Sequence, residues 1–167
     1  ALLYSSDRRL TYRAEIRYVV LHEKIYQRMF RERNMSTPAV SAYNPYARKT
    51  NFEVTGMDAQ SCSAFIEKVR AEDCAGHFED YPAMPVARIA GALIDLTGKH
   101  YHRLRKPATP YCIRRVEMHA ESFIFAGESV MMVTQYLEDP SDDELVIESY
   151  ARSSAECRAV EMKCRFF

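Results

Sequence analysis

The chain has 167 residues, enough for one domain with a substantial core and room for a short extension. Its 23 basic and 23 acidic residues balance, so no global field favours nucleic acid or an anionic membrane as a partner. The sequence contains no apolar run of about 18 residues, and its first residues lack the basic flank of a signal peptide. We therefore expect a cytoplasmic protein that does not enter a membrane.

The cysteines favour a reducing compartment as well. Their odd number and the absence of a Cys-x-x-Cys pair argue against a disulfide framework. We expect reduced and mostly buried thiols at all five positions, which are Cys62, Cys74, Cys112, Cys157 and Cys164.

The first 49 residues combine three patterns. Residues 10–20 alternate between apolar and polar side chains, which predicts a half-buried strand. Residues 21–33 change to helical spacing, and 34–49 hold the prolines and small polar residues that are typical of a loop. Residues 1–49 are therefore predicted to be a strand–helix extension with a linker.

Residues 50–167 contain strands on both sides of a single helix. Two strands are predicted at 52–54 and 64–69, with a turn near 56–59, and an almost wholly apolar helix runs from about Pro85 to Thr97. Pro85 suits its first turn and Gly98 its C-terminal stop. After a basic connection over 99–110, alternation predicts four more strands, at about 111–120, 129–138, 144–153 and 156–166.

A helix that is apolar all round must be covered on most sides. An antiparallel sheet wrapped around one buried central helix meets that requirement with this order of elements. The predicted class is therefore α+β, and the predicted architecture is a hot-dog fold.

The stretch between the first strands and the helix carries the chemistry. Gly76-His77-Phe78 is followed by Pro82, Met84 and Pro85, so a histidine at a predicted strand end precedes a proline-stiffened turn and the helix. This arrangement is suited to placing a general base against a hydrophobic tunnel.

With Ala92 and the turn Phe125-Ala126-Gly127-Glu128, these residues resemble the β-hydroxyacyl-ACP dehydratases of fatty-acid synthesis. The resemblance covers residues 50–167. It implies that His77 removes the α proton of an acyl thioester and that a backbone N–H at the helix start polarises the thioester carbonyl. It also implies a homodimer, a 3-hydroxyacyl substrate on ACP or CoA, and no cofactor.

The chain departs from the family where the matching acid would stand. Gly91 lies fourteen residues after His77 and has no side chain to donate a proton. Asp95 lies one helical turn, about 6 Å, further on, and is our candidate for a displaced acid; Glu79 and Asp80 are the alternatives. Val86 replaces a family glycine beside the N–H meant for the carbonyl. The predicted substrate-binding residues are Phe78, Met84, Val86 and Gly91.

Three hypotheses follow. The first is a dehydratase-like lyase with His77 as base and Asp95 as acid. The second is a hot-dog thioesterase in which Asp95 or His77 activates water. The third is a catalytically degenerate module that binds an acyl chain or pairs with an active homologue.

Two further features have alternative interpretations. The basic run 99–106, with Arg114 and Arg115, is either a solvated connection or a patch for an acidic carrier protein or a CoA phosphate. His100, His102 and His119 have no acidic or thiol ligands at metal-binding spacing, so no metal is expected.

Overall fold

The computed structural model describes residues 2–4, 6–20, 22–34, 44, 46–76, 78, 80–105, 110–137, 145–154 and 158–166. The chain divides into two compact units, an N-terminal unit, Ala1–Glu32, and a sheet–helix unit, Arg33–Phe167. The domain boundary expected between residues 49 and 50 stays a prediction.

The N-terminal unit contains a short antiparallel pair, β1 (Leu2–Tyr4) and β2 (Leu10–Arg13), followed by helix α1 (Glu23–Met29). The helix predicted over 21–33 therefore forms in its central part. The strand predicted over 10–20 is wrong beyond Arg13, because residues 14–20 lie in neither helix nor strand. Ile16 and Tyr18 are 75% and 80% exposed. Alternation favours a strand only where a partner strand and a core receive its apolar face, and no described strand pairs with 14–20.

The sheet–helix unit is a six-stranded antiparallel sheet with one long helix packed against it. The strand order is β3-β4-β6-β7-β8-β5. This arrangement confirms the predicted hot-dog fold and all six strands of the prediction. The elements are β3 (Glu53–Met57), β4 (Ser61–Ile66), α2 (Val86–Leu104), β5 (Ile113–Ala120), β6 (Val130–Leu137), β7 (Leu145–Ser153) and β8 (Arg158–Phe166).

Helix α2 packs against the four inner strands of the sheet, β4, β6, β7 and β8. Ile89, Leu93 and Leu96 are buried on its sheet side, where they meet the alternate buried residues of the strands. Ala87 and Gly91 are exposed, so one flank of the helix stays open within the described residues. No described helix is both long and apolar enough to cross a membrane.

The predicted helix stop at Gly98 is wrong, since α2 continues to Leu104. Gly98 serves close packing instead: a Cβ at this position would overlap the hydroxyl of Tyr111. Residues 99–104, the first part of the predicted basic connection, therefore belong to the C-terminal part of the helix.

Two local predictions also differ from the structure. The β3–β4 turn lies at 58–60, where Asp58 Oδ1 accepts hydrogen bonds from the Gln60 and Ser61 amides at 2.7 Å each. The strand end predicted beside the histidine is wrong, because β4 stops at Ile66 and a 3-10 turn, Ala71–Cys74, follows. After that turn, Gly76 and Phe78 both have positive φ angles, of 72° and 60°. This left-handed backbone conformation does not occur in an extended strand.

Candidate active site

The segment that enters α2 is fixed by backbone hydrogen bonds to residues 124–126. The Met84 amide donates to the Ile124 carbonyl and the Ala126 amide to the Pro82 carbonyl, both at 2.8 Å. The Phe78 ring packs edge-on against Phe123 with centroids 5.4 Å apart. The structure thus brings Phe78 and residues 82–84, which lead into α2, together on residues 123–126 between β5 and β6.

The start of α2 receives no side-chain cap from its own N-cap residue. Pro85 is the N-cap residue and makes no side-chain capping bond, and the first turn contains no acidic residue. The first amides of a helix have no intrahelical acceptor and carry the positive end of the helix dipole. The Val86 amide is therefore suited to an oxygen on which negative charge develops, such as a thioester carbonyl under attack.

An exposed strip of helix surface at Ala87 and Gly91, which we call the open lane, follows this start along α2. Ala87 and Gly91 are exposed, and residues four apart lie on one flank of a helix. A Cβ built at Gly91 would meet no described atom within 4 Å. Asp95, four residues further on, is 35% exposed, and its Oδ1 lies 3.1 Å from Lys49 Nζ.

A buried ion pair anchors the helix beside this lane. Arg88 Nη2 lies 2.7 Å from Asp73 Oδ1, and both side chains are less than a tenth exposed. Arg88 Nη1 also donates to the Arg48 carbonyl at 2.6 Å, while Arg70 contacts the other side of Asp73. This cluster is not among the predicted site residues; its signals in the sequence are the i,i+3 spacing of Arg70 and Asp73 and a charged residue inside an apolar helix.

Glu128 is a second buried carboxylate and is not among the predicted site residues, although it ends the turn Phe125-Ala126-Gly127-Glu128 of the family resemblance. Its side chain is 7% exposed; Oε2 accepts from the Phe125 amide at 3.1 Å and Oε1 pairs with Arg33 at 2.8 Å. The Arg33 guanidinium also lies over the Phe125 ring, 5.5 Å from its centroid. These contacts stabilise the turn at residues 123–128, against which the Phe78 ring packs.

The predicted site residues fall in different environments. Met84 is 2% exposed and belongs to the core, whereas Val86 is half-buried at the first position of α2. Asp95 lies nine residues beyond Val86, which is about 13 Å along the helix axis. One thioester carbonyl held at the Val86 amide is therefore out of reach of Asp95 in the same chain.

The position of the predicted base and of the alternative acids relative to the helix start stays a prediction. His77 and Glu79 lie outside the described residues, and Asp80 is exposed. The roles assigned to these residues stay predictions.

The described cysteines are poor candidates for nucleophiles. Cys62, Cys74 and Cys164 are buried free thiols, and Cys112 is exposed; Cys157 lies outside the described residues. Burial raises the pKa of Cys74 to about 12 and that of Cys164 to about 11, so both stay protonated near neutrality.

The described histidines and basic residues lie in separate environments. His100 is wholly buried, with Nδ1 2.8 Å from Thr134 Oγ1. No group of three described His, Cys, Asp or Glu side chains could hold a metal ion. Of the basic residues, Lys99 and Arg103 lie on α2, and Arg115 pairs with Glu117 at 2.7 Å. Binding of a carrier protein or a CoA phosphate by these basic residues stays a prediction.

No protein-family profile and no curated protein matches the chain. Solved structures do match its fold. The Streptococcus mutans protein smu.793, bound to acetyl-CoA, superposes with a TM-score of 0.60 at 9% identity, over 73% of this chain and 93% of its own. A hypothetical thioesterase with coenzyme A from Streptococcus pneumoniae gives a TM-score of 0.60 at 9% identity, over 84% and 94%.

The PaaI protein from the phenylacetic acid degradation operon of E. coli also matches. Its TM-score is 0.58 at 10% identity, and the match covers 69% of this chain and 77% of that one. At such low identities these likenesses establish the hot-dog fold and leave the reaction to be inferred from the site.

Proposed function

We propose that this protein binds acyl thioesters of coenzyme A and hydrolyses them. The observation that carries the proposal is the start of α2, where the N-cap residue Pro85 makes no side-chain capping bond and the exposed Ala87 and Gly91 follow along the helix. The likeness to hot-dog structures that contain acetyl-CoA or CoA supports the choice of ligand. An acyl carrier protein in place of CoA remains an alternative carrier, and the cytoplasmic location stays a prediction.

The proposed reaction uses the helix start as an oxyanion site. The Val86 amide donates to the thioester carbonyl, which becomes more electrophilic as charge develops on its oxygen. A general base takes a proton from water, the water oxygen bonds to the carbonyl carbon, and the carbon–sulfur bond breaks. The proton then passes to the departing thiolate, so that free thiol and carboxylic acid leave.

His77 is the proposed base, because it lies in the segment that leads into α2 and an imidazole titrates near neutrality. Asp95 can act as the base in place of His77 only if the thioester carbonyl lies about two turns further along the helix.

Release of CoA from a series of acyl-CoA substrates, followed with a thiol reagent, distinguishes these cases. We expect His77→Ala to lose at least a hundredfold in kcat and Asp95→Asn to lose less; the reverse order would move the site to Asp95. No thiol release above background at any chain length would refute hydrolysis.

We also propose that the active protein is a homodimer. All five residues of β3 are exposed, and β3 is an edge strand with one side unpaired in the described sheet. Such an edge favours pairing with another strand, and a second copy supplies one.

Dehydration of a 3-hydroxyacyl thioester is the second candidate, favoured by Gly76-His77-Phe78 and the prolines after it. Its weak point is the missing helix acid at Gly91. Because a Cβ at Gly91 would meet no described atom within 4 Å, Gly91→Glu is a suitable variant for restoring the acid. Gain of enoyl-thioester hydration in this variant, absent from the parent, would show that the parent has lost a dehydratase site.

A further inference from the structure

Gly91 has no packing role within the described chain. An interior helical glycine is less stable than alanine, and at Gly98 close packing against Tyr111 explains the choice. At Gly91 a Cβ would meet no described atom within 4 Å, and the residue is exposed. The absent side chain therefore leaves space beside α2 that no described atom fills.

The space beside Gly91 is bounded by a segment that we call the α2 strap, residues 48–52. The Arg48 carbonyl accepts from Arg88, Lys49 pairs with Asp95, and the Phe52 ring lies 6.0 Å from Lys99 Nζ. From 88 to 99 the helix rises about 16 Å, and four extended residues span about 13 Å. The strap therefore runs along α2 in the same direction as the helix.

Gly91 lies between the first two contacts of the strap. Positions 88, 91 and 95 share one flank of a helix, because their spacings are three, four and seven residues. The buried Arg88–Asp73 pair fixes one end of this interval, and the Lys49–Asp95 pair marks the other. Between these two ion pairs, Gly91 is exposed.

We propose that the space at Gly91, bounded by the α2 strap, determines acyl specificity by admitting a branched or ring-bearing acyl group. This inference rests on the proposed function. Gly91 lies about 6 Å along the axis from Ala87, so a thioester held at the helix start places the middle of a short acyl chain beside it. A straight chain does not need the extra width, whereas a branch or ring at that depth does.

The test compares the parent with Gly91→Ala and Gly91→Val on a straight-chain and a branched acyl-CoA of equal carbon number. Because one methylene in an apolar pocket changes kcat/KM by about 10- to 200-fold, we expect the branched-to-straight ratio of kcat/KM to fall several-fold in Gly91→Ala and at least tenfold in Gly91→Val. The branched-to-straight ratio of kcat/KM should decrease as the side chain at position 91 grows from glycine to alanine to valine. Thermal stability should follow a different order, with Gly91→Ala the highest.

The outcomes separate the two proposals. If the parent neither binds nor hydrolyses any acyl-CoA, the proposed function fails. If the parent is active and the substrate ratio is the same in all three proteins, or follows Tm rather than volume, the specificity inference fails. Loss of the dimer in Gly91→Val with an unchanged ratio would likewise overturn it, because the space would then belong to a second copy.

Discussion

At the residue scale, the buried Asp73–Arg88 pair shows what sequence patterns cannot reveal. Both residues are charged, and charged residues are usually exposed, so nothing in the local pattern distinguishes them from a solvated pair. Their burial follows from contacts across fifteen residues of sequence. The same limit applies to Glu128, whose partner Arg33 lies far earlier in the chain.

Removal of one partner of that pair should be costly. We expect Asp73→Ala to lower the free energy of unfolding by about 3 kcal/mol or more, because Arg88 would keep a buried charge without its carboxylate. Arg70→Ala is the matched control: Arg70 is 53% exposed, so its loss should cost under about 1 kcal/mol. Urea denaturation measures both, and equal effects would contradict the structural role of Arg88.

His100 gives stability a pH dependence of known sign. Burial lowers its pKa, against the opposing effects of the Ala59 carbonyl and Asp58. Below about pH 6.5 the unfolded chain binds a proton at this residue before the folded chain does. The free energy of unfolding should therefore be fully retained above about pH 6.5 and fall as the pH drops below that value.

His100→Gln isolates this contribution from the other histidines. Whatever its effect at pH 7.5, the variant should lose less stability than the parent between pH 7.5 and 5.5. Identical pH dependence in the two proteins would mean that His100 does not titrate as its burial requires.

At the element scale, the order and type of the main elements were predictable, and their ends were not. The six strands of the sheet and α2 follow from alternation and from one apolar helical run. The end of α2 was misplaced because a glycine after an apolar run is typical of a C-cap, whereas Gly98 accommodates a tertiary contact with Tyr111. The strand beyond Arg13 was predicted from alternation that finds no described partner.

The two glycines of α2 should respond oppositely to the same substitution. Gly91→Ala should stabilise the protein by up to about 1 kcal/mol through helix propensity. Gly98→Ala should destabilise it by about 1–3 kcal/mol, because it displaces Tyr111 from its contacts with Tyr101 and Phe166 at 4.9 and 5.5 Å.

A double variant checks the cause of the Gly98 effect. In a Tyr111→Ala background, Gly98→Ala should become neutral or stabilising, since the overlapping hydroxyl is gone. Thermal unfolding of the single and double variants measures this coupling. Persistence of the full cost without Tyr111 would show that another contact limits position 98.

At the scale of the whole molecule, the fold could be predicted and the reaction could not. The hot-dog fold follows from a one-helix, one-sheet order that has few alternative packings. The predicted site residues share a motif, but the structure separates Val86 from Asp95 by about 13 Å. The motif therefore predicts where α2 begins, but it does not establish which carboxylate, if any, takes part in the reaction.

The proposed dimer belongs to this scale. Sedimentation at micromolar concentration should give a mass near twice that of the chain, which is 19.3 kDa. Val54→Lys on the exposed edge strand β3 should weaken the dimer, because a charge on an edge discourages pairing. A parent that sediments as a monomer would exclude a site shared between subunits.

The central claim is that the Val86 amide at the start of α2 holds the thioester carbonyl. Val86→Pro removes this N–H and the valine side chain at a helix position where proline is well tolerated, and Val86→Ala keeps the N–H while shortening the side chain. Acyl-CoA hydrolysis by the two variants, followed by thiol release, is the most direct measurement. We expect kcat for Val86→Pro to be at least a hundredfold below that for Val86→Ala, as for the loss of an oxyanion donor. Equal rates in two equally stable variants would contradict the assignment of this amide.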